Sequence, residues 1–226
     1  MHQCTLAQKL THNLCRWVMW VVFSVAFRGR CFGREHYPRH GGGLICSNHQ
    51  SHLDPILVGM SAPRRLSYFA RKTLFRFRLF ARFIDWWDAI PVDREGLGLS
   101  GIKESLKRLK RGEWLVMFPE GTRTRNGEVS TMKRGFATLA RRGKVPIIPI
   151  GIDGAYDAWP RSQMLPSTGE IHIHVGQPIS WESIQTMTDE ELAREVESRI
   201  RECHQLARQG RSTTRSRTQS RRQCTA

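Results

Sequence analysis

Residues 48–55 read Asn-His-Gln-Ser-His-Leu-Asp-Pro and hold the strongest candidates for chemistry in the chain. His49 and Asp54, with four residues between them, follow the apolar run Leu44-Ile45-Cys46, which reads as a buried strand. Loops after such strands carry function in layered α/β folds. An imidazole can remove a proton near neutral pH. It does so best when a carboxylate accepts a hydrogen bond from its second ring nitrogen, which fixes tautomer and orientation. A turn over these residues can bring the two side chains together. A second reading stands beside this one: Asp54 as N-cap and Pro55 as the first helical residue would explain that pair without catalysis. His52 competes with His49, and the three together could hold a metal for hydrolysis. No further ligand cluster supports that, and no metal is expected.

The second informative stretch, Phe-Pro-Glu-Gly-Thr-Arg-Thr-Arg-Asn-Gly-Glu over 118–128, directly follows the apolar run 114–118. Gly121 gives the backbone freedom for a tight turn and for close approach to a ligand. Arg123 can grip a phosphate through two donors at once, and Lys133 and Arg134 lie ten residues on. Glu120 could hydrogen-bond a hydroxyl or hold Arg123; a surface hairpin with solvated charges is the plainer alternative. In Ala-Ile-Pro-Val-Asp-Arg-Glu, 89–95, Arg94 could be another phosphate contact or part of a surface turn. No serine or cysteine in these stretches has the setting of a nucleophile. Cys46, inside an apolar strand, reads as inert.

These residues need a scaffold, and the rest of the chain describes one. The runs 44–48, 114–118 and 145–152 read as buried strands, and 171–175, which alternates, as a half-buried one. Between them, 54–61, 99–111 and 131–142 carry helical spacing. Strands alternating with helices predict an α/β fold, a layered sheet with flanking helices. Residues 181–206 read as a terminal helical region in which Thr188 and Glu191 form a capping box.

Three parts are expected: an N-terminal membrane-associated segment, 1–35; the main domain, 36–207; and an Arg/Ser-rich disordered tail, 208–226. The leader holds an uninterrupted apolar run from Trp17 to Val22, too short for a comfortable bilayer span of roughly 20 residues. Its tryptophans and flanking Arg16, Arg28 and Arg30 suit a helical segment lying in the headgroup interface. A buried core helix with basic ends is the alternative. The tail has six arginines and no acid, with almost nothing apolar to bury. Overall, 36 Lys plus Arg against 20 Asp plus Glu give a net charge of +16, which points to polyanionic partners. No zinc-finger, RRM or helix-turn-helix pattern appears, so a nucleic acid is not expected. The six cysteines show no CxxC pair and no regular spacing, which suits a reducing compartment.

Taken in order, the blocks NHQSHLDP, IPVDRE, FPEGTR followed by KRG, and VPIIPIGIDG resemble the glycerolipid acyltransferase family. That family is typified by 1-acylglycerol-3-phosphate (lysophosphatidic acid) acyltransferase of the PlsC type. The likeness covers roughly residues 30–180, and its first and third blocks are the specific ones. It implies His49 as base and Asp54 as its partner. Arg94, Glu120, Gly121, Thr122 and Arg123 would serve the acceptor's phosphate, with Lys133 nearby, and the fourth block would help form the site or an acyl-chain pocket. It further implies acyl-CoA or acyl carrier protein as co-substrate, no cofactor, and a lysophospholipid acceptor at the cytoplasmic face of a membrane. The acceptor could also be glycerol 3-phosphate, another lysophospholipid or a lyso-aminolipid. A basic membrane-binding protein without catalysis is the alternative class. The stretch FRFRLFARFIDWWDA, 75–89, is more basic and aromatic than relatives show, and reads as a membrane-facing or acyl-guiding segment.

Overall fold

The computed structural model describes residues 6–71, 90–92 and 98–223. Helix α1 spans Leu6–Ala26, and strand β1 (Arg30–Phe32) and a short 3-10 turn at Arg34–His36 lead to strand β2, Gly43–Ser47. Helix α2 (Asp54–Ser61) precedes three short strands: β3 (Leu66–Ser67), β4 (Phe69–Arg71) and β5 (Ile90–Val92). Helix α3 (Gly98–Lys110), β6 (Trp114–Met117), α4 (Gly135–Gly143) and β7 (Ile147–Asp153) follow. The chain ends through α5 (Ala155–Ala158), β8 (His172–Val175), α6 (Trp181–Thr186) and α7 (Asp189–Gln223). Six strands form one sheet in the order β1-β8-β7-β2-β6-β3, while β4 and β5 pair in parallel by themselves.

Strand β2 sits in the middle, parallel to β6 on one side and β7 on the other. A central parallel strand is covered on both faces and so reads as a continuous apolar run. Ile45, Trp114, Val116, Ile148, Ile150 and Ile152 face one core, shared with Leu57 and Val58 of α2 and Phe23 of α1. Leu44, Cys46, Leu115 and Ile147 face the other, with Leu109, Phe136, Leu139, Val196 and Ile200 from α3, α4 and α7. The pairing register sets Cys46 beside Met117 and Ser47 beside Ile150. Three connections therefore leave the same end of the sheet from adjacent strands: the loop after β2, the loop after β6 and the turn after β7. Ligands of open α/β sheets bind at this end.

Several expectations need adjustment. The layered α/β sheet is present, and the strands differ from their predicted bounds by only a residue or two. Strand β8 is more than half buried: His174 is partly exposed, but His172 on the same side is buried under Phe32 of β1, ring centroids 5.8 Å apart, with Gly210 of α7 close against it. Helix α4 begins at Gly135, not 131, so Lys133 lies in the approach to it. The terminal helical region breaks into α6 and α7 at Thr188, where the capping box forms as read. The Glu191 amide donates to Thr188 Oγ1 at 3.2 Å, and the Thr188 amide donates to Glu191 Oε2 at 2.7 Å.

The expected disordered tail is contradicted, because α7 continues helical to Gln223. Arginines that composition counts as solvated have specific partners at its start. Arg208 pairs with Asp153 and Glu128, and Arg211 with Asp153 and Asp157. Ion pairs with the turn after β7 and the loop after β6, rather than apolar burial, thus anchor the first turn of this segment.

Helix α1 packs Met19, Phe23 and Ala26 on the core, while Leu14, Trp17, Val18, Val21 and Val25 fall on its opposite face and are exposed. Among the described residues no helix is long and apolar enough to cross a membrane. The aromatic-basic stretch at 75–89 and Arg94 lie outside the described residues.

The contact between β7 and α7 tolerates no side chain at Gly151. A methyl there would sit 2.1 Å from the His204 backbone nitrogen and 2.3 Å from the Cys203 carbonyl carbon. Gly151→Ala must push the helix off the sheet and is expected to cost about 3 kcal/mol of stability. The check is the midpoint of denaturant unfolding followed by circular dichroism.

Candidate active site

The loop after β2 is built around one carboxylate oxygen. Asp54 Oδ2 accepts the backbone N–H of Gln50 at 2.6 Å and that of Ser51 at 2.7 Å, and lies 2.7 Å from His49 Nδ1. A carboxylate offers only acceptors, so Nδ1–H is the donor and the other ring nitrogen is left to take a proton. Asp54 is wholly buried, whereas the His49 side chain is 20% exposed. The predicted cap is corrected here. Helix α2 starts at Asp54 itself after Leu53, and the carboxylate turns back to the preceding loop instead of capping its own helix. Those two amides and the imidazole offer it more than the helix end could. Ser51 Oγ takes up the Leu53 N–H at 3.1 Å and donates to the Trp159 carbonyl at 2.7 Å. The amides of Gln50, Ser51, Leu53 and Ile56 are all engaged, which leaves few backbone donors there for an oxyanion.

The loop after β6 meets this one from the neighbouring strand. Glu120 Oε1 accepts the His49 N–H at 2.8 Å and Oε2 the Ser130 N–H at 3.2 Å. The carboxylate is thus a strut between loops. Burial raises its pKa, against the opposing pull of those two amides. The Thr124 amide returns a bond to the His49 carbonyl at 2.8 Å. The imidazole lies on the Phe118 ring, centroids 4.1 Å apart and 19° from parallel. His49 is therefore fixed at its backbone by Glu120 and Thr124, at its edge by Asp54 and on one face by Phe118.

The loop after β6 also carries cationic groups, Arg123 and Lys133. Gly121 takes φ +73°, and a side chain there would come within 3.0 Å of Lys133 Nζ, so the lysine lies across the turn that glycine makes possible. Gly121, Thr122 and Lys133 are exposed and Arg123 is half-buried. Of the sequence candidates, the structure brings together His49, Asp54, Glu120, Gly121, Thr122, Arg123 and Lys133. His52 turns away from Asp54 onto Trp159, ring centroids 5.0 Å apart. Partial burial, and then the Arg123 charge, lower its pKa below the usual imidazole value. Among the described residues no three His, Cys, Asp or Glu side chains converge as a metal-ligand set.

Sequence reasoning missed the supporting polar residues. Asn48 extends the pairing of β2 and β7 past the strand end, donating to the Ile152 carbonyl at 2.9 Å and accepting its N–H at 2.8 Å. Gln50 is buried, and its amide donates to the Gly127 carbonyl at 2.5 Å. The available signal was polarity itself: Asn, Gln and Ser directly after an apolar strand must find partners if that loop is buried.

Comparison with known proteins agrees with this geometry. A 1-acyl-sn-glycerol-3-phosphate acyltransferase of Bacillus subtilis (strain 168) is 32% identical over 169 residues, 74% of this chain and 82% of that protein. One from Streptococcus pneumoniae (strain ATCC BAA-255 / R6) is 31% identical over 149 residues, 65% of this chain, which spans about half (53%) of the relative's length. The crystal structure of the 1-acyl-sn-glycerophosphate (LPA) acyltransferase, PlsC, from Thermotoga maritima shares the fold, with a TM-score of 0.78 at 22% identity, over 91% of this chain and 83% of that one. A family model described as Acyltransferase matches residues 28–153, from the end of α1 to the last residue of β7, and that span carries both loops of the site. This chain belongs to the acyltransferase family.

Proposed function

We propose that this chain transfers a fatty acyl group from a thioester donor, acyl-CoA or acyl carrier protein, to the free hydroxyl of 1-acylglycerol 3-phosphate, giving phosphatidic acid. The observation that carries the reading is the partly exposed His49 imidazole, its Nδ1 bonded to buried Asp54, joined through Glu120 to the loop that bears Arg123. The named relatives act on the same acceptor by their titles.

In this mechanism Arg123 and Lys133 hold the acceptor's phosphate and set its hydroxyl against the second ring nitrogen of His49. His49 takes the hydroxyl proton as the oxygen bonds to the thioester carbonyl carbon. The tetrahedral intermediate collapses with loss of the carbon–sulfur bond, and the departing thiolate receives the proton from the imidazolium. No acyl-enzyme forms. Asp54 steadies the imidazolium, and Glu120 keeps the His49 backbone in place. Arg94 is a further candidate for the phosphate.

The reaction is proposed to run at a membrane surface on its cytoplasmic face. Support comes from the outward stripe of α1, where Trp17 is 64% and Val25 76% exposed. Met164, 92% exposed, and Leu165, 78%, add apolar surface on the loop after Trp159. A helix apolar on both faces, buried on one, has a second face suited to an interface. The net charge of +16 favours anionic lipid.

Turnover of labelled acyl-CoA against a panel of lyso-acceptors, with and without a phosphate, tests the reading. His49→Ala should lower kcat roughly 10²- to 10⁴-fold with the fold intact by circular dichroism; near-normal turnover refutes the mechanism. Arg123→Ala should instead raise the acceptor KM and narrow the preference for a phosphate-bearing acceptor. Glu120→Gln places an amide where two backbone donors meet, so kcat should fall while acceptor KM changes little. Replacing Trp17, Val21 and Val25 with serine should release the protein from anionic vesicles in a sedimentation assay and spare turnover of a monomeric short-chain acceptor. Retained vesicle binding would sink the interfacial role of α1.

A further inference from the structure

Helix α7 reaches the catalytic loop through one buried side chain. Gln50 follows His49 directly, is 1% exposed, and each polar atom of its amide is engaged. Its Nε2 donates to the Gly127 carbonyl at 2.5 Å and to His204 Nε2 at 3.0 Å, and its Oε1 accepts the Tyr156 N–H at 3.4 Å. These partners belong to three elements: the loop after β6, helix α7 and helix α5. The backbone N–H of the same residue is one of the two amides on Asp54 Oδ2. The side chain of Gln50 therefore governs where its amide points, and that amide governs the carboxylate bonded to His49.

His204 can serve this purpose because of what surrounds it. Its Nε2 also lies 3.3 Å from Asp153 Oδ1, and one ring nitrogen cannot both donate to Asp153 and accept from Gln50. The arginines of α7 resolve the conflict. Arg208 Nε approaches Asp153 Oδ1 at 3.2 Å, and Arg211 Nε reaches Oδ2 at 2.7 Å. Asp153 thus has a guanidinium donor in Arg208 and a second ion pair in Arg211, which leaves His204 Nε2 to accept from the Gln50 side chain. Asp153 ends the strand next to the catalytic one, so the cluster sits at the same end of the sheet as the site.

We infer that His204 is a positioning residue for the transfer reaction, acting through Gln50 to hold the Gln50 amide on Asp54 and so the His49 imidazole in register. The inference rests on His49 being the base proposed above. Neither His204 nor Gln50 touches the acceptor, so their loss should lower the rate of the chemical step without weakening acceptor binding.

The test uses the full chain and two readouts. His204→Leu removes the acceptor for the Gln50 amide, and His204→Gln supplies a side-chain carbonyl in its place. The leucine variant should lose kcat on the order of a hundredfold with acceptor KM unchanged, and the downfield proton of the His49–Asp54 hydrogen bond should broaden in the proton NMR spectrum. The glutamine variant should recover both. Full kcat in a folded His204→Leu protein overturns the inference. So does a loss that glutamine fails to recover, or a rise in KM with kcat intact, since either makes the contact one of packing alone. If the leucine variant does not fold, Gln50→Met breaks the same link from the loop side, and a sharp proton with full kcat there is equally fatal. The NMR readout needs no acceptor. Wild-type protein that shows the dependent proton but transfers no acyl group would therefore reject the proposed reaction and leave the tether standing.

Discussion

Three donors meet on a single oxygen of Asp54, and two of them are amides of the loop that carries the histidine. A carboxylate removed from water is costly unless hydrogen bonds replace its hydration, and these three do so. The same bonds bend residues 49–51 around the side chain of residue 54. Loop shape and imidazole orientation are thus one constraint rather than two. Moving the carboxylate would release the tautomer-fixing bond and two buried amides together. A spacing of four intervening residues suits this arrangement because it returns the side chain to its own preceding loop while α2 starts beneath it. Pro55, lacking an N–H, adds no orphan donor at that start.

Parallel pairing supplies the second half of the site without long-range adjustment. Because β2 and β6 run side by side in the same direction, the residues that follow each emerge at the same edge. Glu120 can then reach the His49 amide across a sequence separation of 71 residues. The resulting strut binds the loop bearing the base to the loop bearing Arg123 and Lys133. The two loops keep a set spacing because one carboxylate bonds the His49 amide of the first and the Ser130 amide of the second. This gives Glu120 a reason to be buried and charged next to a glycine, which a ligand contact alone would not require.

The central strands were legible because a strand covered on both faces must be continuously apolar, and 44–46, 114–117 and 147–152 are. His49 and Asp54 were legible for a local reason: their partnership spans one turn of chain. What escaped the sequence was nonlocal. Gln50 finds partners 77 and 154 residues away, and Arg208 finds one 55 residues back. Composition treats the segment from 208 as unable to order itself, which holds for apolar burial and fails for ion pairs aimed at a buried aspartate. The helix cap was misread for a related reason. Spacing shows that a carboxylate stands at a helix start, but not which of the competing amides it will take.

A base able to take a proton from a lipid hydroxyl can equally take one from water, and hydrolysis of the thioester would follow. The stacked Phe118 ring covers one face of the imidazole and Asp54 occupies one nitrogen, leaving a single edge for the exchange. Burial around the histidine limits water but cannot discriminate at that edge, which is still exposed. Discrimination must then come from residence: a molecule held by its phosphate keeps its hydroxyl at the imidazole far longer than a passing water does. The Thr124 amide, donating to the His49 carbonyl, places Arg123 one residue from the base loop. In the proposed mechanism the cationic residues would do more than recognise the acceptor. Their grip is what favours transfer over hydrolysis there, and the loop's position follows from the same strut and the same parallel strands that hold the histidine.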